Sequence, residues 1–176
     1  MNPGRRLPQR DTQRSRVYAA EQFVRTLFDR AAQHNAATVD FFGEAITLPP
    51  EARFASVESI QRYVDRVLAQ PAVAGIRPGA GPVRVRARRA ATAAHYERPA
   101  GNSAAPAVIA VPESLDAEWA MRELVVLHEV AHHLCDPDAA AHGSDFIATF
   151  CALATAVMGP EAGHVLRVVY AKEGVR

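Results

Sequence analysis

The chain has 176 residues, 49% of them hydrophobic, and a formal net charge of +1. That length suits one compact domain, and that apolar content excludes a disordered polymer. The near-neutral charge gives no global pull toward nucleic acid or an anionic membrane.

No stretch is long and apolar enough to cross a bilayer. Cys135 and Cys151, the only cysteines, are too few for a disulfide scaffold, so a reducing, cytoplasmic setting is expected. Met1 to Arg16 carries five arginines and two prolines with no apolar segment behind them. It does not read as a secretory signal. Residues 1–14 read as a flexible basic tail, and residues 15–176 as a single domain.

The first expected helix runs from Ser15 to Gln33, where Val17, Phe23, Val24, Leu27 and Phe28 recur near helical spacing. Thr38–Phe42 and Ala45–Leu48 read as a hairpin turning at Gly43-Glu44. A second helix is expected over Ser56–Ala69, with Ser56 as N-cap and Pro71 as its stop. Residues 71–82, rich in proline and glycine, read as a loop. Val83–Arg88 alternates Val, Val and Ala with Arg84, Arg86 and Arg88, the pattern of a strand with one wet face. Ala91–Tyr96 is its expected partner. Ala107–Val111 is a short apolar strand ended by Pro112.

Three helices complete the chain. The first is expected to start near Ser114 or Asp116, pass through Trp119, Leu124, Leu127 and Ala131, and stop near Cys135 because Pro137 follows. The others are expected over Ser144–Met158, with Gly159 as the stop, and from Pro160 to Lys172. This order of elements implies an α+β domain.

The chemistry concentrates in His128-Glu129-Val130-Ala131-His132. Histidines at i and i+4 share one helix face, so two imidazoles can reach one ion. Glu129 lies to the side, placed to accept a proton from a water on that ion. Leu124-Val125-Val126-Leu127 marks the helix as buried, where unpaired polar groups are costly and a metal would pair them. His142 is the best third ligand, because the short connector Asp136–Ala141 can fold the next helix back. Gly143 permits close approach and Phe146 could anchor that helix. Cys135 and Glu161 are the alternatives, with Cys135 read first as a buried thiol. His133 reads as a packing or hydrogen-bonding residue. Asp136, Asp138 or Asp145 could orient a ligand histidine. Tyr170, Tyr96 and Arg167 are possible donors to an oxyanion.

These residues, His128-Glu129-x-x-His132 with His142-Gly143-x-x-Phe146, resemble the SprT-like and WLM groups of zincin metalloproteases. With Ala110-Val111-Pro112 added, the chain resembles an uncharacterised group of actinobacterial zincin-type metallohydrolases of about this length, from the first helix to Met158-Gly159-Pro160. The SprT-like likeness covers the metal-binding helices alone. No zinc ribbon follows them, so the DNA-linked role of those proteins is not implied. The resemblance implies a minimal zincin, a small twisted sheet on an active-site helix, with one Zn2+ held by His128, His132 and His142 and Glu129 as catalytic base. It further implies an edge strand, here Ala107–Val111, bordering the cleft and pairing with an extended peptide.

The expected function is therefore a zinc metallopeptidase acting on a peptide or protein substrate. One alternative is a nucleic-acid-associated protein, suggested by Arg84, Arg86, Arg88 and Arg89 and the basic N-terminus. Another is a non-catalytic zinc module with a closed four-ligand site.

Overall fold

Val17, Ala20, Val24, Leu27 and Phe28 return every three or four residues and turn one face of the first helix, α1 (Arg14–Gln33), into the core. The computed structural model describes residues 10–89, 93–99, 105–112 and 120–176. Strands β1 (Thr38–Phe41) and β2 (Glu44–Thr47) pair antiparallel across a two-residue turn, with Phe41 opposite Glu44. Phe42 and Gly43 both take positive φ (55° and 89°), the geometry that matches the twist of a tight hairpin.

Helix α2 (Val57–Leu68) begins where Ser56 accepts from Ser59 N–H and Ser59 Oγ accepts in return from Ser56 N–H, a reciprocal cap. Pro71 does not open a plain loop. It starts a one-turn helix, α3 (Pro71–Ala74), because a proline at the first helical position lacks only a donor the helix would leave unused.

The main sheet departs from the expected pairing. Strand β5 (Ala107–Pro112) lies between β3 (Val83–Arg88), which it pairs in parallel, and β4 (His95–Glu97), which it pairs antiparallel. So β3 and the 91–96 segment do not form a hairpin, although residues 91 and 92 lie outside those described. Ala107–Val111 is the central strand and not the edge. The reason is burial: Ala107, Ile109, Ala110 and Val111 are all buried, so both faces are covered. The arginine-bearing β3 and the short β4 take the edges.

Helix α4 (Glu123–Leu134) runs through the core, with Val126, Leu127, Val130 and Ala131 fully buried. It starts later than expected. Arg122 is extended (φ −132°, ψ 153°) because the chain there pairs with residues 52–54, Phe54 N–H donating to Met121 O and Glu123 N–H to Ala52 O, both at 2.9 Å. The buried Arg122 guanidinium ion-pairs with Glu51 and with Asp29 (3.2 Å), holding this clasp. The proposed start at Ser114 or Asp116, and Trp119, lie outside the described residues. At its far end Arg77 donates to His133 O (2.9 Å) and Cys135 O (2.8 Å), satisfying carbonyls the helix leaves open.

Helices α5 (Ser144–Met158) and α6 (Pro160–Lys172) turn at Gly159, φ 120°. They pack closely at Gly163, where a Cβ would stand 1.9 Å from Thr155 Oγ1 and 2.9 Å from Cys151 O. This mixed fold of helices and small sheets is the expected α+β class. No helix among the described residues is long and apolar enough to cross a membrane.

Candidate metal centre

One turn of α4 separates His128 from His132 and sets both imidazoles on the side that faces α5. The connector returns sharply. Asp136 N–H donates to Asp145 Oδ2 (3.0 Å) and Gly143 N–H to Ala140 O (3.0 Å), so His142 arrives two residues before α5 on the same side as the other two rings. Phe146, fully buried, forms the floor, its ring 4.8, 4.5 and 5.1 Å from those of His128, His132 and His142.

The three Nε2 atoms converge. His128 Nε2 lies 3.1 Å from His132 Nε2 and 3.4 Å from His142 Nε2, and one ligand nitrogen from each ring lies within 4.8 Å of the others. Two nitrogens bound tetrahedrally to one ion at ~2.1 Å would stand about 3.4 Å apart.

Carboxylates decide which way the protons point. His128 Nδ1 lies 2.8 and 2.9 Å from the two oxygens of Glu21, which also accepts from Tyr170 Oη at 2.8 Å. His142 Nδ1 lies 2.6 Å from Asp11 Oδ2. An imidazole that donates from Nδ1 in its neutral form carries a lone pair on Nε2. His128 and His142 therefore turn lone pairs toward each other and toward His132, an arrangement that repels unless a cation sits between. A single proton can bridge one pair of nitrogens, whereas a divalent ion can satisfy all three. The donor set fits a metal, with each carboxylate orienting a ligand ring.

Burial and the neighbouring His128 and His142 push the pKa of His132 down to about 2. Burial opposes charge on His128 too, but Glu21 outweighs it and raises that pKa. Glu21 answers in kind: its burial is outweighed by the charge and hydrogen bond of His128, and its pKa is lowered.

Glu129 stands beside the cluster, 7% exposed. Burial raises its pKa. It lines a cleft of about 460 Å³ together with Tyr18, His95, Tyr96, His132 and His142. A second cavity of about 500 Å³ shares Tyr18 and Glu129 and reaches His128 and Glu21.

The other sequence candidates fall elsewhere. Cys135 is buried and lies outside the cluster, with its thiol pKa pushed up to about 12 by burial. Glu161 is exposed on the first turn of α6. His133 hydrogen-bonds Tyr96 Oη (3.1 Å) and Gly81 O (2.8 Å), as a packing residue would. Asp136 and Asp145 brace the connector, and Asp138 N–H donates to Asp136 Oδ1 (2.8 Å); the carboxylates that meet the clustered histidine rings are Glu21 and Asp11 instead. Tyr170 is buried on Glu21, and Arg167 faces Thr155 at 3.5 Å, so neither reaches the cleft. Of the strand arginines, Arg86 pairs with Glu97 at 2.5 Å and Arg88 lines the cleft.

Three residues were not singled out from sequence. Glu21 could have been, since it interrupts the apolar stripe Val17, Val24, Phe28 at helical spacing. Asp11 had no such signal: it lies in the segment read as a tail. Yet Gln13 Nε2 donates to His142 O (3.3 Å) and Arg176 O (2.5 Å), so the stretch from Asp11 is docked, while residues 1–9 lie outside those described. Tyr18 stacks on His128 (5.8 Å) and meets His142 edge-on (5.3 Å) at the cleft rim. No protein-family model, curated protein or solved structure matches the chain.

Proposed function

We propose that the chain is a zinc-dependent hydrolase, a metallopeptidase that cleaves a peptide bond with water. The observation that carries this reading is the convergence of three imidazole nitrogens, two of them backed by carboxylates, beside a buried glutamate that opens on a cleft. His128, His132 and His142 would hold the ion, and zinc is the usual occupant of such a nitrogen set. When bound, it supplies Lewis acidity toward a water and a substrate carbonyl.

The chain's own residues do the rest. Glu129 takes a proton from the attacking water and passes it to the departing amine, and its raised pKa suits a group that holds that proton between the two transfers. Phe146 keeps water from beneath the histidines, and Glu21 and Asp11 fix two rings in place. The edge strand β4 borders the cleft through His95 and Tyr96, so an extended polypeptide can lie along it by main-chain pairing.

A closed structural site is disfavoured because no fourth histidine, cysteine or carboxylate joins the three among the described residues. Elemental analysis should find one zinc per chain. Zinc-loaded protein should cleave unstructured polypeptides, and Glu129→Gln should lose that activity while keeping the metal. A variant as active as wild type at equal zinc content removes Glu129 from this role, and a chain without stoichiometric metal removes the hydrolase reading.

A further inference from the structure

The cleft wall carries three guanidinium groups from three elements: Arg14 on α1, Arg88 at the end of β3 and Arg98 just after β4. All three are exposed, and none makes an ion pair with a carboxylate among the described residues. Two are held along the wall by aromatic rings. The Arg14 guanidinium carbon lies 5.4 Å from the Tyr18 ring centre and that of Arg98 lies 5.8 Å from the Tyr96 ring centre. Arg98 also donates to His132 O at 3.4 Å, which places its charge beside a candidate ligand.

Three acids share this wall. Asp11 is engaged by His142, and Asp136 Oδ1 accepts from Asp138 N–H at 2.8 Å. Glu129 is buried and belongs to the proton-transfer machinery. The exposed arginines offer the cleft planar donors suited to carboxylate geometry.

We propose that this arginine-lined wall selects peptides that place a carboxylate next to the bond presented at the histidine cluster. The inference rests on the metallopeptidase reading and names its substrate class, an acidic peptide. The carboxylate can come from an aspartate or glutamate side chain or from a chain terminus. Exposed ion pairs are individually weak, so the three arginines of one cleft are expected together to give roughly a tenfold preference, fading as salt screens it.

Peptide hydroxamates separate the two readings, since the hydroxamate anchors on the metal whatever the side chain. Binding of four probes to zinc-loaded wild type would be measured by calorimetry at low and high salt: aspartyl, lysyl and alanyl hydroxamates with amidated C-termini, and the alanyl one with a free C-terminus. Either acid-bearing probe binding about tenfold tighter than the alanyl amide, with the advantage lost at high salt and in Arg14→Gln/Arg88→Gln/Arg98→Gln, supports the proposal and tells side chain from terminus. Equal binding of all four overturns the acidic preference while leaving the metal site intact, as does an advantage that survives in the triple variant. Failure of all four to bind overturns the metallopeptidase reading and this proposal with it. The substituted side chains are exposed, and circular dichroism confirms that the triple variant is folded before its binding is compared.

Discussion

Replacing Glu21 with glutamine keeps the side chain's shape and removes its charge, at a position 4% exposed. The carboxylate meets three donors: His128 Nδ1 through both oxygens, Tyr170 Oη at 2.8 Å, and Arg25 at 3.6 Å. An amide has a single oxygen: at the place of Oε1 it still accepts from His128 and Tyr170, but its NH2 then replaces Oε2, 2.9 Å from His128 Nδ1 and 3.6 Å from Arg25, donor against donor. One buried donor without an acceptor costs about 1–3 kcal/mol, and removing one member of a buried charge pair costs about 3–5 kcal/mol in all. Urea unfolding of metal-free Glu21→Gln should therefore show a loss of about 3–5 kcal/mol against wild type. Because the same carboxylate orients a candidate ligand ring, zinc affinity measured against a chromophoric chelator should fall by about 10–100-fold. A variant that unfolds at the wild-type urea concentration and binds zinc equally well would refute the assignment of Glu21 as the anchor of His128.

Asp11→Asn should weaken zinc binding by about tenfold with little change in unfolding free energy, since Asp11 is partly exposed and acts on one ring; removing residues 1–12 should do the same in the chelator competition. Cys135 and Cys151 should resist a thiol reagent at pH 8 in the folded protein and react fully in denaturant, because burial pushes their pKa values up to about 12 and about 11. Gly163→Ala should destabilise the protein by about 2 kcal/mol in a thermal melt, as overpacking against Thr155 outweighs the roughly 1 kcal/mol gained in helix propensity. Adding Thr155→Ala should recover part of that loss.

What could be read from sequence was what short-range physics decides. The N-cap at Ser56, the stop at Gly159 and the restart at Pro160 depend on residues within a few positions of one another, and each lies where expected. The convergence of His128, His132 and His142 was legible for a similar reason: one helical turn and a ten-residue return connect them. The order of the sheet was not legible, because it depends on which strand is covered on both faces, although the unbroken apolar run Ala107–Val111 held the clue. The start of α4 was set by Arg122 reaching back to Glu51 and Asp29, a long-range ion cluster that local acidic residues could not reveal. The carboxylates behind the histidines were hidden in the same way. Glu21 is 107 residues from His128 and Asp11 is 131 from His142, separations at which no periodicity speaks.

The chain of contacts from Tyr170 through Glu21 to His128 also has a consequence in time. Synthesis delivers the carboxylate first, the imidazole long afterwards and the phenol last of the three. Until the sixth helix has closed against the first, the carboxylate is hydrated and the ring behind it is free to rotate. On the metal reading, tight ion capture waits for that helix to dock. By the same logic the ion should leave with global unfolding, not with the fraying of any single segment.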